Sequence, residues 1–159
     1  MLKYATFVAA AYAAEGVYDY KQLGADWSSV SALCGTGKEQ SPINLNTEGL
    51  KANDAMHITG LNYKDYSSLT FKQAALTAQD VTDGFLRIHF ADGDDSTFIP
   101  LQFHFHAPSE HTVDGKTYDL EMHMVHLYPD GSLGAVIGIF FDMAAGGNTA
   151  NQFIAQVAP

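Results

Sequence analysis

Basic residues and cysteine are scarce in this chain of 159 residues. Eight lysines and arginines stand against 18 aspartates and glutamates, and the formal net charge at pH 7 is −10. No part of the sequence forms a basic stripe that could hold a phosphate backbone, so we expect no nucleic-acid partner. Cys34 is the one cysteine. This argues against a structural zinc site, because such sites fill four positions and usually recruit several thiolates.

Long hydrophobic runs are also missing. The apolar stretch at residues 1–14, MLKYATFVAAAYAA, is too short to span a membrane. Its early lysine, the apolar run behind it and the A-x-A pattern at 11–13 are typical of a cleavable secretory signal. We therefore expect a signal peptide at residues 1–13 and one domain over residues 14–159. The location would be extracellular, periplasmic or in an organelle lumen; a helical N-terminal extension is the alternative.

Hydrophobic residues nevertheless make up 47% of the chain, which suffices for a sizeable core. Alternating apolar and polar residues predict strands in four runs, at 85–90, 97–106, 118–128 and 133–141. Four Asp-Gly pairs punctuate these runs, beginning at Asp83, Asp92, Asp114 and Asp130. The spacing predicts an antiparallel meander, followed by a short closing helix within residues 149–157.

Three histidines in these runs predict a metal site. Side chains alternate along a strand, so His104 and His106 point to the same face. The Asp-Gly pair at 114–115 predicts a hairpin, which would bring His106 roughly opposite His123 on the returning strand. The three imidazoles would then converge.

Three neutral nitrogen ligands favour a catalytic zinc ion. Structural zinc sites fill all four positions with protein ligands, whereas catalytic sites keep three protein ligands and one open position. A ligating histidine also needs a hydrogen-bond partner for its second ring nitrogen. Gln102 and Glu121, each two residues from a histidine and on the same face, are placed to provide it.

Three stretches of the chain resemble one known family. They are the segment at 102–126 with its HFHAPSEH string, the run YDYKQLGADWSSVSALCGTGKEQSPINL at 18–45, and the apolar LGAVIGIFF at 133–141. Together they are similar to the α-class carbonic anhydrases. The resemblance implies a β-rich fold with a central twisted, mainly antiparallel sheet and few short helices. It also implies the family's zinc-dependent reaction, the reversible hydration of carbon dioxide to bicarbonate and a proton.

The family's metal-site roles would fall on matching positions of this chain. The ligands of one zinc ion would be His104, His106 and His123. Gln102 would orient His104, and Glu121 would orient His123. Carbon dioxide or bicarbonate would be the small-molecule partner.

The resemblance gives roles to three further residues. Glu110 would be a buried carboxylate that orients a threonine hydroxyl above the metal, and Val125 and Val136 would line the apolar pocket for carbon dioxide. The turn at 130–131 supports the valine pair, because it would place the two side chains opposite each other across a hairpin. Both valines could equally be ordinary core residues of a sheet.

The sequence departs from the family at three places. Family members continue past the position where this sequence ends, through a segment that holds the threonine. We therefore expect the C-terminal part of the fold to be missing and a sheet edge to be exposed. Gly84 stands where the fastest members have a proton-shuttle histidine, and it has no side chain to carry a proton. Cys34 lacks the partner with which related cysteines often pair.

Two alternatives belong to other classes. The H-x-H at 104–106 followed by Glu110 matches the start of a cupin-like metal barrel motif. The later part does not match, because Gly115 comes too early and the fourth residue after His123 is Leu127 rather than an asparagine. The other alternative is a non-catalytic or inactive fragment of the anhydrase fold that binds zinc or acts as a structural protein. Such descendants normally lose a zinc ligand, and all three are present here.

Overall fold

The computed structural model describes residues 21–22, 24–49, 56–65, 70–72, 77–79, 83–146 and 149–157. The predicted signal peptide at residues 1–13 lies outside these ranges. The strands are β1 (Asn44–Leu45), β2 (His57–Tyr63), β3 (Thr70–Lys72), β4 (Thr77–Gln79), β5 (Gly84–His89), β6 (Asp95–His106), β7 (Thr112–Val113), β8 (Lys116–Thr117), β9 (Leu120–Leu127) and β10 (Leu133–Phe141). A 3-10 turn at Trp27–Ser29 precedes the helices α1 (Ala32–Thr36), α2 (Met143–Gly146) and α3 (Gln152–Val157). Within the described ranges, no helix is both long and apolar enough to cross a membrane.

Strands β6 and β9 form the centre of a seven-stranded sheet. The order across the sheet is β10-β9-β6-β4-β3, while β5 pairs with the first half of β6 and with β2 on its other side. All of these pairings are antiparallel. The predicted fold, a mainly antiparallel sheet with few short helices, is confirmed, and α3 forms within the range predicted for the closing helix.

Three of the four Asp-Gly pairs lie in turns between strands, where the sequence predicts them. Gly93 and Gly131 have φ angles of 87° and 85°, which favour glycine, and they separate β5 from β6 and β9 from β10. At the third pair, Asp114 has φ 48° and Gly115 has φ 77°. Positive φ at both central residues is typical of a tight two-residue hairpin.

A second, three-stranded sheet ties the N-terminal segment to this hairpin. β7 and β8 form the hairpin, and β1 pairs with β7 in parallel. The carboxylate of Asp114 accepts hydrogen bonds from the backbone N–H of Thr47, at 2.8 Å, and from its hydroxyl. The side-chain oxygen of Asn44 accepts two more, from the Thr112 hydroxyl and the Gly115 N–H, both at 2.8 Å. The N-terminal segment is therefore held beside the loop that follows β6.

The register of β6 against β9 differs from the prediction by two residues. His104, not His106, pairs with His123, and His106 pairs with Glu121. The small hairpin is centred on residues 114–115, as predicted, because Val113 pairs with Lys116. The difference arises between two pairs, His106 with Glu121 and Thr112 with Thr117. The outgoing chain has five residues between them, 107–111, and the returning chain has three, 118–120. Pro108 lies within the outgoing segment.

The apolar core lies around Phe98 and Leu86, both fully buried. The Phe98 ring packs 4.8 Å from the ring of Tyr128, centroid to centroid. It also lies so close to Gly134 that a Cβ there would be 2.4 Å from it. On the face of β6 opposite the histidines, Phe103 and Phe105 pack against Phe153 of α3, with ring centroids 5.8 and 6.4 Å apart. The sheet thus has an aromatic face and a histidine face.

Replacing Phe98 by Ala should lower the free energy of unfolding by about 3–5 kcal/mol, because a fully buried ring is lost and a cavity remains. Leu61→Ala is the control, since Leu61 lies on β2 with 55% of its surface exposed. Its truncation should cost less than about 1 kcal/mol. Chemical denaturation measures both values, and equal losses would contradict the placement of Phe98 at the centre of the core.

Candidate metal centre

Three imidazoles from β6 and β9 converge on one face of the main sheet. The ring centroids are 4.9 Å apart for His104 and His106, 5.3 Å for His104 and His123, and 4.7 Å for His106 and His123. One nitrogen from each ring lies within 4.8 Å of the other two. The three predicted ligands therefore converge, but His123 lies opposite His104 and not opposite His106 as predicted.

Hydrogen bonds select which nitrogen of two rings faces the centre. The Nδ1 of His104 lies 2.9 Å from the amide oxygen of Gln102. Because that oxygen can only accept, Nδ1 carries the proton and Nε2 keeps its lone pair. The Nε2 of His123 lies 2.9 Å from the Glu121 carboxylate, so the lone pair of His123 is on Nδ1. Gln102 and Glu121 thus occupy the orienting positions that the sequence predicts.

The Glu121 carboxylate is buried, with 1% of its surface exposed, and it accepts four hydrogen bonds. One oxygen accepts from the backbone N–H groups of Glu110 and His111, both at 2.9 Å. The other accepts from the rings of His111, at 2.7 Å, and His123, at 2.9 Å. Burial alone would raise the pKa of Glu121, but the hydrogen bonds from His111 and His123 outweigh it and hold the pKa below its ordinary value. The carboxylate therefore stays ionised as an acceptor for both rings.

His111 is a functional residue that the sequence reasoning missed. Its Nδ1 donates to Glu121, and its Nε2, 3.1 Å from Ser41 Oγ, accepts from that hydroxyl. Potential ligand atoms of His111, Glu121 and His123 also cluster. In this second cluster the nitrogens lie 2.7 and 2.9 Å from the Glu121 oxygen, which are hydrogen-bond distances. We therefore assign His111 the role of orienting the Glu121 carboxylate. No sequence spacing signals this role, because the bond depends on the bend after His106.

Burial keeps two of the three ligand rings neutral. Together with a smaller effect of the nearby His123, it lowers the pKa of His104 to about 4. Burial also lowers the pKa of His106 to about 3, with contributions from the charges of His123 and His104. A zinc ligand must be a neutral imidazole with an available lone pair. The donor set, its convergence and its protonation therefore fit a zinc ion.

Glu110 lies beside the donor nitrogens. Its Oε2 is 3.3 Å from Nε2 of His106 and 3.8 Å from Nδ1 of His123, and only 12% of its side chain is exposed. The resemblance implied a threonine hydroxyl as the partner of this carboxylate, whereas here it contacts the histidines. It is near enough to act on a group bound at the open side of the trio.

The two valines lie on neighbouring strands, as the turn at 130–131 predicts. Val125 of β9 pairs directly with Val136 of β10. Their surroundings differ, because Val125 is 8% exposed and Val136 is 56% exposed. Val125 is two residues from His123, so it shares the histidine face of the strand.

Gly84 is the first residue of β5, and its assignment to a proton-shuttle position stays a prediction. It pairs with Tyr63 of β2, and the part of β5 that pairs with β6 places Leu86 opposite Phe98. Phe98 precedes His104 by six residues, or roughly 20 Å of strand. Thr77 of β4 pairs with His104 instead. The side chain of Cys34 is exposed.

The metal-free protein should lose stability as the pH falls from about 6.5 to 4. In that window the unfolded chain protonates His104 and His106 at their ordinary pKa near 6.5, while the folded chain does not until about pH 4 and 3. Each proton bound only by the unfolded state contributes about 1.4 kcal/mol per pH unit to the slope. Denaturation in this pH range should show a shallower slope for His106→Asn, and an unchanged slope would contradict the assignment.

The family model of the eukaryotic-type carbonic anhydrases matches residues 22–157. A carbonic anhydrase from Pectobacterium carotovorum is 37% identical over 130 residues, covering 76% of this chain and 48% of the relative. Alpha carbonic anhydrase 3 from Arabidopsis thaliana is 37% identical over 119 residues, covering 72% of this chain and 42% of the relative.

A solved carbonic anhydrase structure is also similar to this chain. The α-carbonic anhydrase of Photobacterium profundum superposes with a TM-score of 0.61 at 30% identity, covering 89% of this chain and 62% of that one. The chain spans about half the length of the curated relatives it matches. Since the matched residues 22–157 include the converging histidines and the buried carboxylate that orients one of them, this chain belongs to the eukaryotic-type, or α-class, carbonic anhydrase family.

Proposed function

We propose that this chain hydrates carbon dioxide reversibly to bicarbonate and a proton, with one zinc ion held by His104, His106 and His123. The observation that carries the proposal is the convergence of three imidazoles, two of them oriented by Gln102 and Glu121. Membership of the carbonic anhydrase family supports it independently.

The ligand set leaves a fourth position on the open side of the trio. Zinc, when bound, supplies a nucleophile at neutral pH by lowering the pKa of water from about 15.7 to about 7. The protein's part is to keep His104 and His106 neutral and to orient the ring nitrogens of the trio toward the metal position. Glu110 would accept a hydrogen bond from a group at the fourth position and so fix its orientation, because its carboxylate lies 3.3 Å from the His106 ring.

Carbon dioxide is small and apolar, so its binding surface should be apolar and adjacent to the open position. Val125 meets both conditions, because it lies two residues from His123 on the same face of β9. Val136, opposite it on β10, would extend the same surface. We assign the carbon dioxide pocket to this pair.

Export is part of the proposal and rests on the sequence. Residues 1–13 have the charge, apolar run and A-x-A pattern of a secretory signal, and a carbonic anhydrase outside the cytoplasm would act on carbon dioxide or bicarbonate there.

The second candidate is a zinc-binding protein of the same fold without hydration activity. One observation favours it: Val136 is 56% exposed, so half of the assigned apolar surface is open to solvent. Water at that surface would weaken the binding of an apolar substrate. The two candidates agree on zinc and differ on turnover.

The purified chain should bind about one zinc ion per molecule at the three-histidine site, and His123→Ala should abolish stoichiometric binding there because one of three ligands is lost. His111→Ala should retain the site and weaken zinc affinity by about 10–100-fold, since it removes a hydrogen bond that fixes the Glu121 carboxylate. Competition with a chromophoric chelator measures both affinities. Full zinc binding at the three-histidine site by His123→Ala would refute the ligand assignment.

The zinc-loaded chain should hydrate carbon dioxide with a pH dependence near neutrality and should be inhibited by an aromatic sulfonamide, whose anionic nitrogen can take the fourth position. Glu110→Gln should keep the zinc and lower kcat by about 10²-fold or more, because the amide presents an N–H donor where a carboxylate accepts. Stopped-flow pH-indicator assays measure the rates. A folded, zinc-loaded protein that shows neither hydration nor sulfonamide binding would support the second candidate.

A further inference from the structure

A second group of histidines lies outside the metal centre. His57 of β2 pairs directly with His89 of β5, and His89 pairs with Asp95 of β6. Directly paired residues in antiparallel strands point to the same face, so the three side chains form a row across three neighbouring strands. This row lies at the opposite end of β6 from His104, since Asp95 is the first residue of that strand.

The two imidazoles have the separation that a shared metal ion requires. Their ring centroids are 5.2 Å apart. Two imidazoles bound through nitrogen to one tetrahedral ion at about 2.0–2.1 Å have centroids roughly 5.2 Å apart. The three rings of the metal centre, at 4.7 to 5.3 Å, lie in the same range.

A carboxylate orients one of the two rings. The Oδ1 of Asp95 lies 2.9 Å from Nδ1 of His89. The carboxylate oxygen accepts a hydrogen bond from the Nδ1–H group, so the lone pair of His89 is on Nε2, at the tip of the ring. Hydrogen bonding of this kind makes a histidine a better ligand, as at the primary centre. Only 33% of the His89 side chain is exposed, which restricts the motion of the ring.

We propose that His57 and His89 form a second, surface metal site that takes one divalent transition-metal ion of the zinc, nickel or copper class, with Asp95 as the positioning residue. Imidazole nitrogen selects these ions over calcium and magnesium, which prefer oxygen ligands. The two ligands leave the remaining coordination positions to water. Because the ion joins β2 to β5, its binding also stabilises the pairing of these strands.

The test is a titration of Ni²⁺, followed by calorimetry, into the full chain loaded with one equivalent of zinc at the three-histidine centre. We expect one further ion per chain, and a Ca²⁺ titration should not compete. His57→Ala and His89→Ala should each lose the Ni²⁺ binding as completely as the double variant, because both ligands are needed for one ion. All three should keep the resident zinc and the circular dichroism of the parent chain.

Asp95→Asn tests the positioning role. It should weaken Ni²⁺ binding by about 10–100-fold. The control is Asp94→Asn, which removes the same charge from the same turn without the bond to His89 and should weaken binding by less than about fivefold, the effect of one exposed charge. Equal effects of the two variants would show that only the negative charge of the turn affects Ni²⁺ binding, and would contradict the positioning role of Asp95.

Paramagnetic Ni²⁺ gives a readout that does not depend on the folding of any variant. In the parent chain it should broaden the ring signals of His57 and His89 before those of His111 or His126. The inference is overturned if Ni²⁺ does not bind at millimolar concentration, if Ca²⁺ displaces it, or if both single-histidine variants still bind it. None of these results bears on the primary centre, whose zinc content is measured separately.

Discussion

The buried carboxylate of Glu121 is the interaction on which the arrangement of the metal centre depends. A buried charge is costly unless hydrogen bonds replace its water, and this carboxylate accepts four of them. Two come from the backbone N–H groups of residues 110 and 111, so the same group that turns the His123 ring also fixes the loop after β6. That loop carries Glu110 toward the histidines and His111 toward Ser41. The orientation of the His123 ring and the conformation of the loop after β6 therefore depend on the same carboxylate.

The two faces of β6 have different roles, since one carries the metal ligands and the other packs into the apolar interior. The alternation of β6 places His104 and His106 on one face and Phe103 and Phe105 on the other. The aromatic face packs against Phe153 of α3, and this packing holds the strand in place without entering the metal centre. Strands β6 and β9 are each paired with a neighbour on both sides. Ligands on such strands are held more firmly than ligands on loops.

Local patterns in the sequence predicted the strands, the turns and the converging histidines, because each depends on a few neighbouring residues. The register of β6 against β9 could not be predicted from local patterns. It depends on two additional residues in 107–111, whose path is fixed by the hydrogen bonds to Glu121. The role of His111 follows from the same path, so it was missed for the same reason. The strand beside His104, β4, lies outside the four predicted runs, because its three residues are too few to show an alternating pattern.

The central claim is that three histidines and no other side-chain type bind the zinc ion. X-ray absorption spectroscopy at the zinc edge of the zinc-loaded chain tests it most directly. The account predicts four nitrogen or oxygen neighbours at about 2.0–2.1 Å, with the multiple scattering of three imidazoles. A sulfur neighbour at about 2.3 Å, which only Cys34 or a methionine could supply, or the scattering of fewer than three imidazoles, would contradict it.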